Sequence, residues 1–136
     1  MTTEIMLTVN GQPKTLSVEP RWLLADVLRD HLSLTGTHEA CEYGVCGACT
    51  VLLDDEPVRA CLLFAVQANG HHITTVEGLG TAEHPHPLQA AFWEEHGLQC
   101  GFCTPGFLIT AEHFLRTHPT PSREEIRAAL KGNLCR

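Results

Sequence analysis

The sequence predicts an α+β fold in two halves, a small mixed sheet with one helix followed by a remainder that is nearly all helix. Three observations carry this. Near the N-terminus, apolar residues alternate around a hairpin turn; from about residue 84 the apolar spacing becomes helical and capping signals recur; between them lies the glycine-rich stretch Glu77-Gly78-Leu79-Gly80. The chain has 136 residues, 43% of them hydrophobic, which suits one domain or two small ones sharing a core.

Ile5, Leu7 and Val9 alternate as a half-buried strand does, Asn10-Gly11 is a strong hairpin turn, and Leu16 and Val18 continue on the return strand. Pro20 is expected to open a helix whose mostly apolar face is Leu24, Val27, Leu28 and His31. Residues 35–49, with three glycines and three cysteines, read as a loop. Val51 and Leu53 predict a strand, Asp54-Asp55 a turn, Val58 to Cys61 a return strand and Ile73 to Val76 a last short strand. Pro85 and Pro87 then mark a linker and a helix start, with Leu88, Ala91, Phe92 and Glu95 at helical spacing and Gly97 as the stop. Thr104-Pro105 reads as an N-cap with Pro at the first helical position, and Phe107, Ala111, Phe114 and Leu115 as one face, ended by His118-Pro119. Ser122-Arg123-Glu124-Glu125 is a capping box for a helix bearing Ile126, Ala129 and Leu130, with Gly132 as its stop.

The formal charge is −7, and no basic stripe suggests nucleic acid. No apolar run reaches the ~18 residues of a membrane span. The N-terminus shows no basic export signal, so the expected compartment is the cytoplasm, where thiols stay reduced. Seven cysteines then read as metal ligands sooner than as disulfides.

Cys41, Cys46, Cys49 and Cys61 are spaced C-x4-C-x2-C-x11-C, and the first three follow the plant-type ferredoxin spacing that wraps a [2Fe–2S] cluster. Four thiolates suit ferric iron. Gly36, Gly44 and Gly47 would permit positive φ and close approach of amides to sulfur, and those N–H···S bonds would offset the cluster's charge. Structural zinc usually pairs two short knuckles, and this spacing has one. Thiol–disulfide exchange at either C-x-x-C would leave Cys41 and Cys61 unexplained. Cys100, Cys103 and Cys135 form most of a second site, near a helix start and a helix end. His71-His72 and His84-Pro85-His86 read as surface or capping residues, Asp54-Asp55-Glu56 as a solvated turn, and Trp22 and Phe92-Trp93 as core or subunit contact. Glu39 and Glu42 read as residues that tune charge beside Cys41 or meet solvent.

Three segments in order, Gly44-Val45-Cys46-Gly47-Ala48-Cys49-Thr50-Val51, Gln99-Cys100-Gly101-Phe102-Cys103-Thr104-Pro105-Gly106 and Gly132-Asn133-Leu134-Cys135-Arg136, resemble the iron–sulfur subunit of the molybdenum hydroxylases, the xanthine oxidase, aldehyde oxidoreductase and carbon monoxide dehydrogenase family. The resemblance implies a ferredoxin-like β-grasp domain over residues 1–78 and an all-α four-helix domain over 79–136, each with one [2Fe–2S] cluster. It implies Cys41, Cys46, Cys49 and Cys61 as ligands of the first cluster, Cys100, Cys103 and Cys135 as ligands of the second, and Gln99 as a contact to the pterin of a partner subunit. It further implies electron relay from a molybdopterin centre on a large subunit to FAD on a medium subunit, in a heterotrimer or a dimer of heterotrimers. The alternative is a free-standing two-cluster ferredoxin. The family motif ends Cys-Arg-Cys, whereas the sequence stops at Cys135-Arg136, so the fourth ligand would be the next residue. The expectation is that the sequence stops short of the natural C-terminus; otherwise the second site is incomplete. The substrate is not legible, because relatives handle aldehydes, N-heterocycles, acyl-CoA thioesters and carbon monoxide in a pocket on the large subunit.

Overall fold

The computed structural model describes all residues, 1–136. β1 (Thr3–Val9) and β2 (Gln12–Val18) form an antiparallel hairpin in the register Ile5↔Leu16 and Val9↔Gln12. Asn10 and Gly11 both take left-handed backbone (φ 50 and 80), which matches the twist of the flanking strands. Ile5, Leu7 and Val9 are buried while Glu4 and Met6 are exposed, as the alternation requires.

Pro20 lies in a turn closed by Trp22 N–H to the Glu19 carbonyl, and the helix α1 starts four residues later, at Leu24–Asp26. Its start is delayed because Leu23 bridges to Phe64 as a short strand pair, and the Leu24 N–H is bonded to the Leu63 carbonyl. The Asp26 carboxylate caps the Leu23 N–H at 3.2 Å. α1 runs straight into one π turn, Val27–His31, closed by Leu32 N–H to the Val27 carbonyl. Leu24, Ala25, Val27 and Leu28 are fully buried, and Trp22 stacks on His31.

β3 (Thr50–Leu53) and β4 (Glu56–Arg59) form a second hairpin around left-handed Asp54 and Asp55, and β5 is His72–Thr74. The five-stranded sheet has the order β2-β1-β5-β3-β4; β1 and β5 run parallel, the other neighbours antiparallel. Two expected strand ends shift. β4 stops at Arg59, and Cys61 sits in a 3-10 turn, Ala60–Leu62; β5 gives way to another such turn, Val76–Gly78. Both chain directions change there to carry Cys61 into the core and to start the crossing into the second half.

Four α-helical segments are present: α1 against the sheet, then α2 (Pro87–Glu94), α3 (Thr104–Thr117) and α4 (Arg123–Ala129) in the second half. Residues 84–136 are less completely helical than expected, because the cysteine-bearing stretches 95–103 and 130–136 are irregular. His86 caps α2 by accepting the Leu88 N–H at Nδ1. α2 ends on left-handed His96 (φ 55) and not on Gly97, whose N–H bonds back to the Phe92 carbonyl at 2.7 Å. Ser122 and Glu125 form the expected capping box of α4.

The main core joins β1, β3, β5 and α1 around Ile5, Leu7, Leu28, Val51 and Ile73, and it includes Cys49 and Cys61. β3 is buried on both faces: Val51 points into that core, and Leu52 points away from it toward α3. Accordingly the buried residues of α3 are Gly106, Leu108, Ile109, Ala111 and Glu112, so of the expected face Phe107, Ala111, Phe114 and Leu115 only Ala111 is buried and the inner face is rotated. The expected solvated turn Asp54-Asp55-Glu56 docks on α3 through Arg116 Nη1 to Asp55 Oδ1 (3.0 Å) and His113 Nδ1–H to the Asp55 carbonyl (2.9 Å). Arg116 also bonds the buried Glu112 carboxylate at 2.6 Å, and these two acidic partners hold its guanidinium pKa above the ordinary value. No helix is long and apolar enough to cross a membrane.

Candidate metal centres

Loop 35–49 has almost no regular structure, so its shape is set by anchors at its ends. Arg29 Nη1 donates to the carbonyls of Thr35 (3.0 Å) and Thr37 (2.8 Å). Glu77 accepts the Gly36 N–H at 2.9 Å and the Thr75 hydroxyl at 2.8 Å, while Thr75 also exchanges bonds with the Asn10 amide in the first hairpin. Gly36 therefore serves for close packing rather than for a left-handed backbone: a Cβ there would stand 2.5 Å from Val76 and 2.8 Å from Glu77. The left-handed positions in the loop are Glu42 (φ 57), Gly44 (φ 83) and Gly47 (φ 78). They curl the chain so that amides face sulfur.

The expected N–H···S bonds are present, from Cys46 N–H to Cys41 Sγ at 3.3 Å and from Ala48 N–H to Cys46 Sγ at 3.4 Å. Donation from Cys46 and Tyr43 amides pulls the Cys41 thiol down to about 6, so it is poised as a thiolate. Burial, with the thiol of Cys61 alongside, pushes Cys49 up to about 12. Cys46 lies beside Cys41, and both Cys61 and Cys46 act on Cys49, so the four thiols share one neighbourhood without closing around one ion-sized point. Four neighbouring cysteine thiolates are the donor set of a binuclear iron centre, so the residues fit a [2Fe–2S] cluster. Glu39 lies 3.9 Å from Arg29, and burial followed by the charge of Asp26 raises its carboxyl pKa.

In the second half Cys103 is the N-cap of the fourteen-residue α3, and Cys100 precedes it across left-handed Gly101 (φ 82). Burial and the neighbouring Cys135 thiol raise the Cys103 pKa. Gln99, Cys100, Cys103, Leu134 and Cys135 line one mainly apolar cavity of about 470 Å³, and Cys46 of the first loop reaches the same wall. This side offers three thiols at a helix N-terminus, whose dipole favours negative charge. The donor chemistry fits a second cluster, with three of its four thiolates from these residues. Every cysteine is a free thiol.

The two centres touch through backbone. Leu134 N–H donates to the Cys46 carbonyl at 2.8 Å, and the Asn133 amide donates to the Gly47 carbonyl at 3.1 Å. His38 Nδ1–H donates to the Phe102 carbonyl at 2.7 Å and its ring stacks on Phe102 with centroids 4.6 Å apart. Gln99 is exposed beside the second centre. Sequence reasoning missed Arg59, Asn133 and His38; each bonds a backbone carbonyl far away in the chain, and no local motif marks such a role. Trp93, expected in core or contact, is 76% exposed and so is not core.

Residues 7–72 match the model of the "2Fe-2S iron-sulfur cluster binding domain", and residues 75–136 that of the "[2Fe-2S] binding domain". The chain is 56% identical over 135 residues to caffeine dehydrogenase subunit gamma of Pseudomonas sp. (strain CBB1), covering 97% of this chain and 81% of that protein. It is 50% identical over 123 residues to aldehyde oxidoreductase of Megalodesulfovibrio gigas, covering 90% of this chain but 14% of that protein, so there the unit is part of a much longer polypeptide. Its fold matches a chain of quinoline 2-oxidoreductase from Pseudomonas putida 86 with a TM-score of 0.97 at 52% identity, over 99% of this chain and 83% of that one. Two tandem [2Fe–2S] domains, and relatives that are subunits of oxidoreductases, favour an electron-transfer subunit over a free-standing carrier or a zinc module. The chain belongs to the family of small [2Fe–2S] iron–sulfur subunits of the molybdenum hydroxylases.

Proposed function

We propose that Cys41, Cys46, Cys49 and Cys61 hold one [2Fe–2S] cluster and that Cys100, Cys103 and Cys135 hold the other, in domains divided at residues 78 and 79. When bound, the two clusters supply one-electron carriers between a molybdopterin centre on a large partner subunit and FAD on a medium one. The chain's own part is to fix and insulate these positions. The core encloses Cys49 and Cys61, and amides of the Cys41–Ala48 loop donate to sulfur, which offsets negative charge there. The exposed Gln99 beside the second cavity is proposed to meet the pterin, so the helical site faces the large subunit and the loop of Cys41–Cys49 faces the flavin. A heterotrimer or a dimer of heterotrimers in the cytoplasm follows from the same reading.

One observation carries it: two thiol groups in different halves are joined by a direct backbone hydrogen bond from Leu134 to Cys46. The test is to purify this chain by an affinity tag from its native host and assay molybdenum, flavin and iron in what co-purifies. Two larger subunits with molybdenum and FAD support the proposal. This chain emerging alone, with iron only, overturns it in favour of a free-standing carrier.

A further inference from the structure

We propose that Arg59 is a positioning residue shared by both iron–sulfur sites, locking the Gly132–Cys135 segment to the first ligand loop and placing one cationic charge between them. The inference rests on the two-cluster reading above. Arg59 ends β4, two residues before Cys61. Its Nε donates to the Gly44 carbonyl at 3.4 Å, its Nη1 to the Thr50 hydroxyl at 2.5 Å and its Nη2 to the Gly132 carbonyl at 2.5 Å. Gly44 lies between Cys41 and Cys46, Thr50 follows Cys49, and Gly132 precedes Cys135 by three residues. One guanidinium therefore touches every segment that brings a thiol to the first site, together with the last ligand segment of the second.

The charge is as telling as the bonds. Every ion pair in the molecule involves other residues, so this half-buried cation has three neutral acceptors and no carboxylate. Such burial is unfavourable unless an anionic group lies nearby. Its three acceptors stand within three positions of Cys41, Cys46, Cys49 and Cys135, so anionic clusters held by those thiols would be its charge partners. Gly132 leaves the space for it: a Cβ there would stand 2.9 Å from Nη2. The planar fork can bond three acceptors in divergent directions, which a lysine ammonium on a flexible stem does not reproduce. Arg59 thus stiffens the junction that Leu134 and Asn133 make with Cys46 and Gly47.

The test is a redox titration of the purified complex, read by EPR, in wild type, Arg59→Met and Arg59→Lys. Two [2Fe–2S] signals in wild type establish the reading on which the inference rests; a single signal sinks that reading before any variant is made. A partly buried unit charge acting over roughly 10 Å shifts a one-electron equilibrium about tenfold. Arg59→Met is therefore expected to titrate the ferredoxin-like signal about 59 mV more negative, the tenfold equivalent for one electron. It should also weaken the magnetic splitting between the two reduced centres. Arg59→Lys should keep the potential and still weaken the splitting. If Arg59→Met fails to load iron, the lysine variant decides alone: a ferredoxin-like potential about 59 mV more negative in Arg59→Lys then overturns the charge role. A lysine variant equal to wild type in splitting overturns the positioning role, and a methionine variant with unchanged potential, or a lysine variant shifted as far as methionine, overturns the charge role.

Discussion

Gly106→Ala sets two physical expectations against each other, and they differ in sign. Gly106 lies in the first turn of α3, without a left-handed backbone, so helix propensity alone favours alanine by up to about 1 kcal/mol. The structure says otherwise. A Cβ at this position would collide with the Gly47 carbonyl oxygen and stand 3.1 Å from the Asn133 amide nitrogen. Gly47 lies in the first cysteine loop, and its carbonyl already accepts from Thr50 N–H, the Thr50 hydroxyl and Asn133, so it cannot move away freely. Overpacking costs about 1–3 kcal/mol, and losing the Asn133 bond adds about 1 kcal/mol. Less the propensity gain, the variant should be destabilised by about 1–3 kcal/mol. With a urea dependence of about 1–3 kcal/mol per molar, the midpoint should fall by about 1 M. The assay is a urea titration of the purified holoprotein followed by cluster absorbance. A midpoint equal to or above that of wild type refutes the close approach of α3 to Gly47 as the reason for glycine here.

Cys61→Ser is expected to abolish the ferredoxin-like EPR signal and leave the other, while Cys103→Ser does the reverse; a loss of the wrong signal in either variant contradicts the ligand assignment. His38→Ala removes a hydrogen bond and a ring stack on Phe102, together about 1.4 kcal/mol, so iron of the helical site should be lost to a chelator about tenfold faster; an unchanged rate dismisses His38 as a clasp. Ser122→Ala removes the cap of α4 at a cost of about 1 kcal/mol, readable as faster amide exchange in Arg123–Ala129. The backbone N–H of Ser122 holds the Glu125 carboxyl pKa below its ordinary 4.5. This contribution is full above the unfolded value and is lost as pH falls through the depressed folded value. Amide protection in α4, corrected for the intrinsic exchange rate, should therefore fall below about pH 4, and protection that is insensitive to acid there speaks against the box.

What the sequence disclosed, and what it hid, follows the range of the interactions. The Asn10-Gly11 hairpin, the Ser122 capping box and the stop at His118 rest on bonds within four residues, and each is readable from local residue types. The first cysteine loop was also legible as a loop, because one short stretch carries three glycines and three thiols. Pro20 misled because a tertiary pairing, Leu23 with Phe64, took residues that local preference assigns to a helix. The rotated face of α3 follows from packing on Leu52, a strand residue that only the assembled sheet turns outward. The fastening of the two centres was invisible for the same reason: His38, Arg59 and Asn133 find partners 64, 73 and 86 residues away.

The central claim is that this subunit carries two [2Fe–2S] clusters, one in each half. Its most direct test is a count of iron and acid-labile sulfide per copy of the subunit in the native complex, with EPR of the reduced sample. The account predicts about four irons, about four sulfides and two distinct rhombic signals, two irons for each binuclear site. About two irons with a single signal would contradict it, leaving only the Cys41–Cys61 site filled and no carrier at Cys100, Cys103 and Cys135.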